Sequence, residues 1–183
     1  MVTSDRISLE NFVLEMMHLP QKSASVESLL QLFGNLDLSE QIIEENIHFQ
    51  ASQYTRHLIC RTPRFDMLVL SWLPGQASSI HDHSGSLSVV RVHRGELTSR
   101  LFAKNQDPDA NPIVRLISER RLGIHQFAPV DLGEIHQLAN TSAAPLVTVH
   151  LYAKPLSTMN VFHPETGTTE RVTVRYSLED DFA

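Results

Sequence analysis

The apolar residues of the first fifty positions recur every three or four residues, which is the spacing of one helical face. The first such segment carries Leu9, Phe12, Val13 and Met16, the second Val26, Leu29, Leu30 and Phe33, and the third and weakest Ile42, Ile43 and Ile47. Ser8 is placed to cap the first helix, the second follows Ser25, and the third starts at Ser39. Gly34 is placed to end the second helix. We expect three packing helices.

From Tyr54 onward the pattern changes to short β-branched and aromatic runs separated by turn residues. It predicts strands over residues 54–60, 65–73, 87–92, 96–102, 113–118, 146–152 and 171–176. Many short strands at close spacing are typical of a sandwich or a small barrel, here of roughly 120 residues. No internal repeat or long linker divides the chain. We therefore predict one structural domain, in which a helical region, 1–50, packs on a β-barrel, 51–183.

Composition narrows the classes of function. Of the 183 residues, 42% are hydrophobic and 20% charged, as in ordinary globular proteins. A net charge of −6 without a basic stripe argues against a nucleic-acid partner. No apolar run approaches the ~20 residues of a membrane span, and the first residues lack the layout of a secretory signal. The single cysteine, Cys60, excludes an internal disulfide or a thiolate metal cluster. We expect a cytoplasmic protein that is a monomer or a weak homo-oligomer and does not associate with membranes.

Two of the ten histidines, His81 and His83, lie two positions apart in a strand-like context. Alternate side chains of a strand share a face, so both imidazoles can point into a barrel interior. One His-x-His is weak evidence by itself, because packing often produces it. The surrounding residues strengthen the case. They are Gly75 and Gly95 around the first segment, and Gly123, Pro129, Gly133, His136 and Asn140 in a second one.

These two segments resemble the two motifs of the cupin superfamily. The first fits in register from Gly75 to Gly95, and the second fits with two extra residues between Pro129 and Gly133. The resemblance implies a mostly β cupin fold, that is, a double-stranded β-helix or jelly-roll barrel, with His81, His83 and His136 as metal ligands. Cupins commonly add a carboxylate ligand from the first motif, but Ser88 occupies that position. Imidazole suits iron, copper, nickel and zinc, so the ligands alone do not select the metal. A site without an anionic protein ligand favours an anionic substrate such as a thiolate.

Several segments are more specific and resemble cysteine dioxygenase and its thiol dioxygenase relatives. They are Tyr54-Thr55-Arg56, Ser78-Ser79-Ile80-His81-Asp82-His83, Gly133-Glu134-Ile135-His136-Gln137-Leu138-Ala139-Asn140 and Thr148-Val149-His150-Leu151-Tyr152. The helices before the barrel also fit. The resemblance implies an oxidoreductase that uses Fe(2+) and O2 to convert a small thiol to a sulfinic acid.

Thr148, His150 and Tyr152 alternate along one predicted strand and therefore share a face. Polar side chains on one face of a central strand are costly to bury unless they bond one another or face a cavity. The alternative is an outward-facing polar surface. By resemblance, the three residues correspond to a catalytic Ser-His-Tyr relay beside the iron, with the hydroxyl of Thr148 replacing that of serine.

Arg56 stands where cysteine dioxygenases place the arginine that pairs with the substrate carboxylate. A guanidinium can grip a carboxylate through two charge-assisted hydrogen bonds. Relatives that act on 3-mercaptopropionate carry glutamine there, so Arg56 favours L-cysteine. We assign Arg56, Tyr54 and Ser88 to substrate binding.

The sequence departs from the animal family members at Ser88, where they carry a cysteine that cross-links to the tyrosine matching Tyr152. No such thioether can form here. Two alternatives to a cysteine dioxygenase stay open. One is the same chemistry on another thiol, such as 3-mercaptopropionate or mercaptosuccinate, and the other is a metal-binding cupin that senses a small acid without turnover.

Overall fold

The structure is a computed structural model that describes residues 6–20, 24–105 and 113–177. Three helices precede a succession of strands. The helices are α1 (Leu9–His18), α2 (Val26–Asn35) and α3 (Glu40–Glu45). The strands are β1 (Thr55–Arg61), β2 (Phe65–Trp72), β3 (Ile80–His81), β4 (Leu87–Arg94), β5 (Leu97–Lys104), β6 (Val114–Leu122), β7 (Phe127–Val130), β8 (Ile135–Ala139), β9 (Leu146–Ala153), β10 (Thr158–His163) and β11 (Thr168–Thr173).

The three predicted helices are confirmed, except that α3 ends at Glu45 and leaves Ile47 of the third segment outside the helix. Ser8, Ser25 and Ser39 are their N-caps, and each side chain accepts a hydrogen bond from a backbone N–H of the first turn. The prediction that Gly34 ends α2 is wrong. The helix continues through Gly34 to Asn35, and the chain leaves it at Leu36 in an extended conformation, so no left-handed glycine cap is needed.

The strands form two antiparallel sheets. One has the order β1-β2-β9-β4-β7 and the other the order β11-β10-β3-β8-β5-β6. From β3 onward the chain changes sheet at every strand, except at β6 and β11, each of which forms a hairpin with the strand before it. The predicted mostly β double-stranded β-helix of the cupins is therefore confirmed.

The strand pattern misses three short strands, β7, β8 and β10, and gives β3 only as the strand-like context of His81 and His83. These four strands contain histidine, proline or amide side chains at positions where apolar residues would mark a strand, because two of them build the polar site rather than the core. The strand predicted over 171–176 is also displaced. β11 ends at Thr173, and residues 174–177 continue without strand pairing.

Both faces of the five-stranded sheet are buried at β2, where every residue is buried, including the polar Asp66 and Ser71. On the outer face Val69, Val149 and Leu151 pack against Phe12 of α1 and Phe33 of α2. The other face points into the barrel, where apolar residues surround the site. They are Leu68, Leu70, Trp72, Val90, Val92, Leu97 and Leu138. The helices thus seal the outside of the sheet whose inside carries the polar residues of β9.

Candidate metal centre and substrate site

Three histidines converge on the six-stranded sheet. His81 of β3 is paired directly with His136 of the neighbouring β8, and their ring centroids are 4.4 Å apart. His83 lies 4.6 Å from the His136 ring and 5.3 Å from the His81 ring. The prediction that His81 and His83 share a strand face is wrong for His83, because β3 ends at His81 and a turn directs His83 inward. That turn continues through Ser84 and Gly85, both in the left-handed region with φ of 47° and 89°.

The cluster has the geometry of a metal site. One ring nitrogen from each histidine can be chosen such that all three lie within 4.8 Å of one another. Nδ1 of His81 is hydrogen-bonded to the carbonyl of Ser79 at 2.9 Å, which leaves Nε2 as its ligand atom. Nδ1 of His83 is buried without a hydrogen-bond partner among the described residues. Such a buried nitrogen is costly unless something else bonds it.

Burial also sets the charge of these rings. It lowers the pKa of His81 to about 4, and it lowers the pKa of His83 and His136 well below the ordinary value, helped by the neighbouring histidines. All three are therefore neutral at pH 7, which is the form that coordinates a metal. Three neutral nitrogen donors in a buried cluster fit a divalent transition-metal ion and leave coordination positions open for other ligands.

The opposite sheet supplies the predicted polar strand. Thr148, His150 and Tyr152 share the inner face of β9 and are hydrogen-bonded in series. Thr148 Oγ1 lies 2.9 Å from His150 Nε2, and His150 Nδ1 lies 3.2 Å from the Tyr152 hydroxyl oxygen. All three are buried, so the alternative of an outward-facing polar surface does not hold.

The series has a further member at its start, Trp72, which the sequence analysis missed. Its Nε1–H donates to Thr148 Oγ1 at 3.0 Å. This donation favours one direction for the whole series: Thr148 donates to His150, and His150 donates to the oxygen of Tyr152. The hydroxyl hydrogen of Tyr152 is then directed away from the relay. A buried indole N–H needs an acceptor, and that requirement was the available signal for Trp72.

Tyr152 connects the relay to the metal centre. Its ring meets the His83 ring edge-on with centroids 5.1 Å apart. Burial raises the pKa of Tyr152, although Arg56 opposes this effect. The hydroxyl is therefore protonated at neutral pH and can donate a hydrogen bond into the cavity.

Arg56 of β1 lines the cavity from the same sheet as Tyr152. Its Cζ atom is 5.9 Å from the centroid of the Tyr152 ring. Nε and Nη2 of Arg56 are buried without a hydrogen-bond partner among the described residues. Tyr54 stacks on Trp72 with a centroid distance of 4.1 Å and an interplanar angle of 18°. A small cavity brings these residues and the histidines together; its walls are Tyr54, Arg56, Leu70, Trp72, Ser78, His81, His83, Val90, His136, Leu138, His150 and Tyr152.

Ser88, the third residue assigned to substrate binding, lies beside Tyr152 but outside the described lining of the cavity. It lies on β4 directly opposite Tyr152 on β9, which is the adjacency that a cross-link would require. The side chain is buried, and its hydroxyl has no hydrogen-bond partner in the described part of the chain.

A second feature that the sequence analysis missed is the clamp between Asp82 and Asn160. Asn160 Nδ2 donates to both carboxylate oxygens of Asp82, at 3.0 and 2.9 Å, and the Ser84 N–H donates to Asp82 Oδ1 at 3.0 Å. Asp82 lies between His81 and His83, so the clamp ties the metal-binding turn to β10. The position of an acid between two candidate ligands was the signal for it.

Comparison with known proteins agrees with this geometry. The family model of cysteine dioxygenase type I matches residues 4–165. The chain belongs to the cysteine dioxygenase type I family. Cysteine dioxygenase type 1 of Homo sapiens is 35% identical over 131 residues, which are 70% of this chain and 64% of the human protein. The Danio rerio protein of the same name is 29% identical over 149 residues, which are 79% of this chain and 73% of that one. The matched segment thus spans less than two thirds of the human relative.

A solved structure with low sequence identity supports the fold of this chain. The crystal structure of TT1209 from Thermus thermophilus has a TM-score of 0.51 and 20% sequence identity, and covers 65% of this chain and 98% of that one. Within the residues that the structure describes, none of the helices has the length and apolar character that crossing a membrane requires.

Proposed function

We propose that this protein is a cytoplasmic iron(II)-dependent thiol dioxygenase that oxidises L-cysteine with O2 to cysteine sulfinic acid. The observation that carries the proposal is the juxtaposition of two sets of groups from opposite sheets. The three histidines face the guanidinium of Arg56 and the hydroxyl of Tyr152 across one small cavity. Membership of the cysteine dioxygenase type I family supports the same reaction.

Each group of residues in the cavity would have a separate role in binding the metal or the substrate. His81, His83 and His136 would hold the iron, which when bound supplies the redox chemistry. Arg56 would bind the carboxylate, because its Nε and Nη2 groups have no partner among the described residues and a carboxylate offers two acceptor oxygens. Tyr152 would donate a hydrogen bond to the bound substrate or oxygen, and Thr148 and His150 would hold its hydroxyl in that direction.

The overall reaction needs no further reductant. The S–H bond of the thiol is broken and both atoms of O2 end on sulfur, so that the sulfur loses the four electrons by which O2 is reduced. The protein's contribution is to place the thiol, fix its carboxylate and exclude bulk water from the cavity.

The test combines metal analysis with oxygen consumption. Purified protein loaded anaerobically with Fe(II) should bind one ion per chain and consume O2 on addition of cysteine, with cysteine sulfinate as the product. Parallel assays with 3-mercaptopropionate and mercaptosuccinate separate cysteine from other thiols. Iron binding without O2 uptake on any thiol would point instead to a binding protein.

A further inference from the structure

The short segment 174–177 crosses the edge of the five-stranded sheet at Arg56. β1 is the edge strand there, and the outward backbone groups of Arg56 are both bonded to Ser177. The Arg56 N–H donates to Ser177 Oγ at 3.0 Å, and the Ser177 N–H donates to the Arg56 carbonyl at 2.9 Å. The other end of the segment is tied to the barrel by the Val174 N–H, which donates to the Ser157 carbonyl at 3.0 Å. We call this segment the strap.

The strap is anchored by Tyr176 on a buried carboxylate. The Tyr176 hydroxyl donates to Asp66 Oδ2 at 2.5 Å, and the Asp66 side chain is fully buried. Arg61 completes the network, since its guanidinium donates to both oxygens of Asp66 and to the Tyr176 oxygen. Burial, with the hydrogen bond to Asp66, raises the pKa of Tyr176 to about 12, so the anchoring hydroxyl keeps its proton.

Asp66 also lies next to the site. On β2 it is the direct cross-strand neighbour of Tyr152 on β9. This carboxylate takes no part in the proposed reaction. Because burying a charge without partners is strongly unfavourable, the side chain must be stabilised by its neighbours. Its partners are Arg61 and Tyr176, and through Tyr176 the carboxylate holds the strap.

The strap forms one wall of an outer recess that adjoins the cavity of the site. Tyr54 and Arg56 line both the inner cavity and this outer recess, and Arg175, Tyr176 and Ser177 of the strap line the recess. The described lining includes two arginines and no carboxylate, although the chain carries a net charge of −6. Such a recess favours the entry of anions. The strap follows residue 165, where the match to the family model ends.

We propose that the strap holds Arg56 in position at the mouth of the site, and that Tyr176 is a positioning residue for recognition of the substrate carboxylate. This inference rests on the proposed function for the identity of the substrate. The described lining of the inner cavity does not include Tyr176. Tyr176 acts through Ser177, whose two hydrogen bonds fix the backbone of Arg56.

The test compares Tyr176→Phe with Thr168→Val. The first removes the hydroxyl that bonds Asp66 and keeps the ring. The second removes a hydroxyl of the β10–β11 hairpin that bonds Thr166, away from the recess. Each Fe(II)-loaded variant is assayed with cysteine and with cysteamine, which has the thiol and the amine but no carboxylate. Ser177→Ala, which removes the bond to the Arg56 N–H directly, serves as a second variant should Tyr176→Phe fold poorly.

We expect Tyr176→Phe and Ser177→Ala to lower kcat/KM for cysteine about tenfold more than for cysteamine, chiefly through KM. Thr168→Val should leave the ratio unchanged. Hydrogen exchange at the Arg56 amide, which needs no activity, should accelerate at least severalfold in both strap variants. Equal losses on both thiols, or unchanged Arg56 exchange in both variants, would overturn the proposal.

The wild-type protein separates this proposal from the proposed function. If it binds cysteine anaerobically but consumes no O2, the dioxygenase assignment fails, and the ratio of cysteine to cysteamine dissociation constants replaces the kinetic ratio as the test of the strap. If it neither binds nor oxidises a thiol, both proposals are wrong.

Discussion

At the scale of single residues, the described lining of the cavity combines the three neutral histidines of the candidate metal centre with one cationic side chain, that of Arg56. Burial keeps the three histidines neutral, whereas an arginine remains charged at any accessible pH. The cavity therefore holds a guanidinium whose buried Nε and Nη2 groups have no partner in the described protein. Under the proposed function, the anionic substrate would compensate that charge, and the three histidines would hold the metal ion for its sulfur.

The first prediction concerns Arg56. Removing one member of a buried charged pair typically costs ~3–5 kcal/mol, because its partner is left uncompensated. At ~1.4 kcal/mol per decade, Arg56→Ala should lower kcat/KM for cysteine by at least roughly a hundredfold. Cysteamine should be a poor substrate and nearly insensitive to the change. Arg121→Ala, on the exposed strand β6, is the control. An equal loss on cysteine and cysteamine would show that Arg56 supports the fold or the metal instead.

The second prediction concerns His136. His136 is one of the three histidines of the cluster, so its loss would leave two nitrogen ligands, His81 and His83. His136→Ala should abolish stoichiometric iron binding and oxygen consumption together. His18→Ala, on the exposed last turn of α1, should change neither. The measurement is iron content per chain after anaerobic loading and desalting, and full retention of iron by His136→Ala would exclude it as a ligand.

At the scale of secondary-structure elements, tight turns decide how the strands of the two sheets meet. The turn between β4 and β5 brings Gly95 against Pro145 and Leu146. These residues lie immediately before and at the start of β9, the strand that carries Thr148, His150 and Tyr152. Gly95 has φ of 84°, and a Cβ atom there would lie 2.6 Å from the Pro145 carbonyl oxygen. Both the backbone conformation and the close approach therefore require glycine.

The third prediction tests this turn. Gly95→Ala adds a left-handed alanine, at ~1–2 kcal/mol, and an overpacked contact, at ~1–3 kcal/mol. Gly133 has φ of 75° but nothing within 4 Å of the added atom, so Gly133→Ala carries the backbone cost alone. Urea denaturation should show Gly95→Ala to be less stable than Gly133→Ala by at least about 1 kcal/mol. Equal stabilities would mean that the turn relaxes freely.

At the scale of the whole molecule, the fold keeps four histidines uncharged between its two sheets. Burial is the main cause of the lowered pKa of His81, His83, His136 and His150. An unfolded chain titrates the same groups at a pKa of about 6.5. The free energy of unfolding of the metal-free protein should therefore depend on pH through the same residues that form its site.

The fourth prediction follows from that difference. Between a pH of about 6.5 and a pH of about 4, the unfolded chain takes up a proton at His81 that the folded protein does not, so the stability present above this window is lost as the pH falls. His81 alone should contribute a loss on the order of 3 kcal/mol over this window. Urea midpoints of the metal-free protein should fall steadily from about pH 7 to about pH 5, and less steeply in His81→Gln. A midpoint that does not change with pH would contradict the assignment of buried neutral histidines.

The sequence by itself determined the classes of element and the chemistry of the cluster. Periodicity found the three helices with their serine caps, because that signal is local. The resemblance to the cupin motifs implied that His136 joins His81 and His83. The sequence also placed Thr148, His150 and Tyr152 on one face, since alternation along a strand needs no tertiary information.

Only the tertiary structure decided which face of β9 points inward and what meets it there. Trp72, Asn160 and the Tyr176–Asp66 anchor act through side chains far apart in the sequence, and no periodicity reports such contacts. The short strand β8 escaped prediction because its polar residues serve the site and leave no apolar alternation. In the folded barrel, histidines from one side and Arg56 with Tyr152 from the opposite sheet line the same cavity.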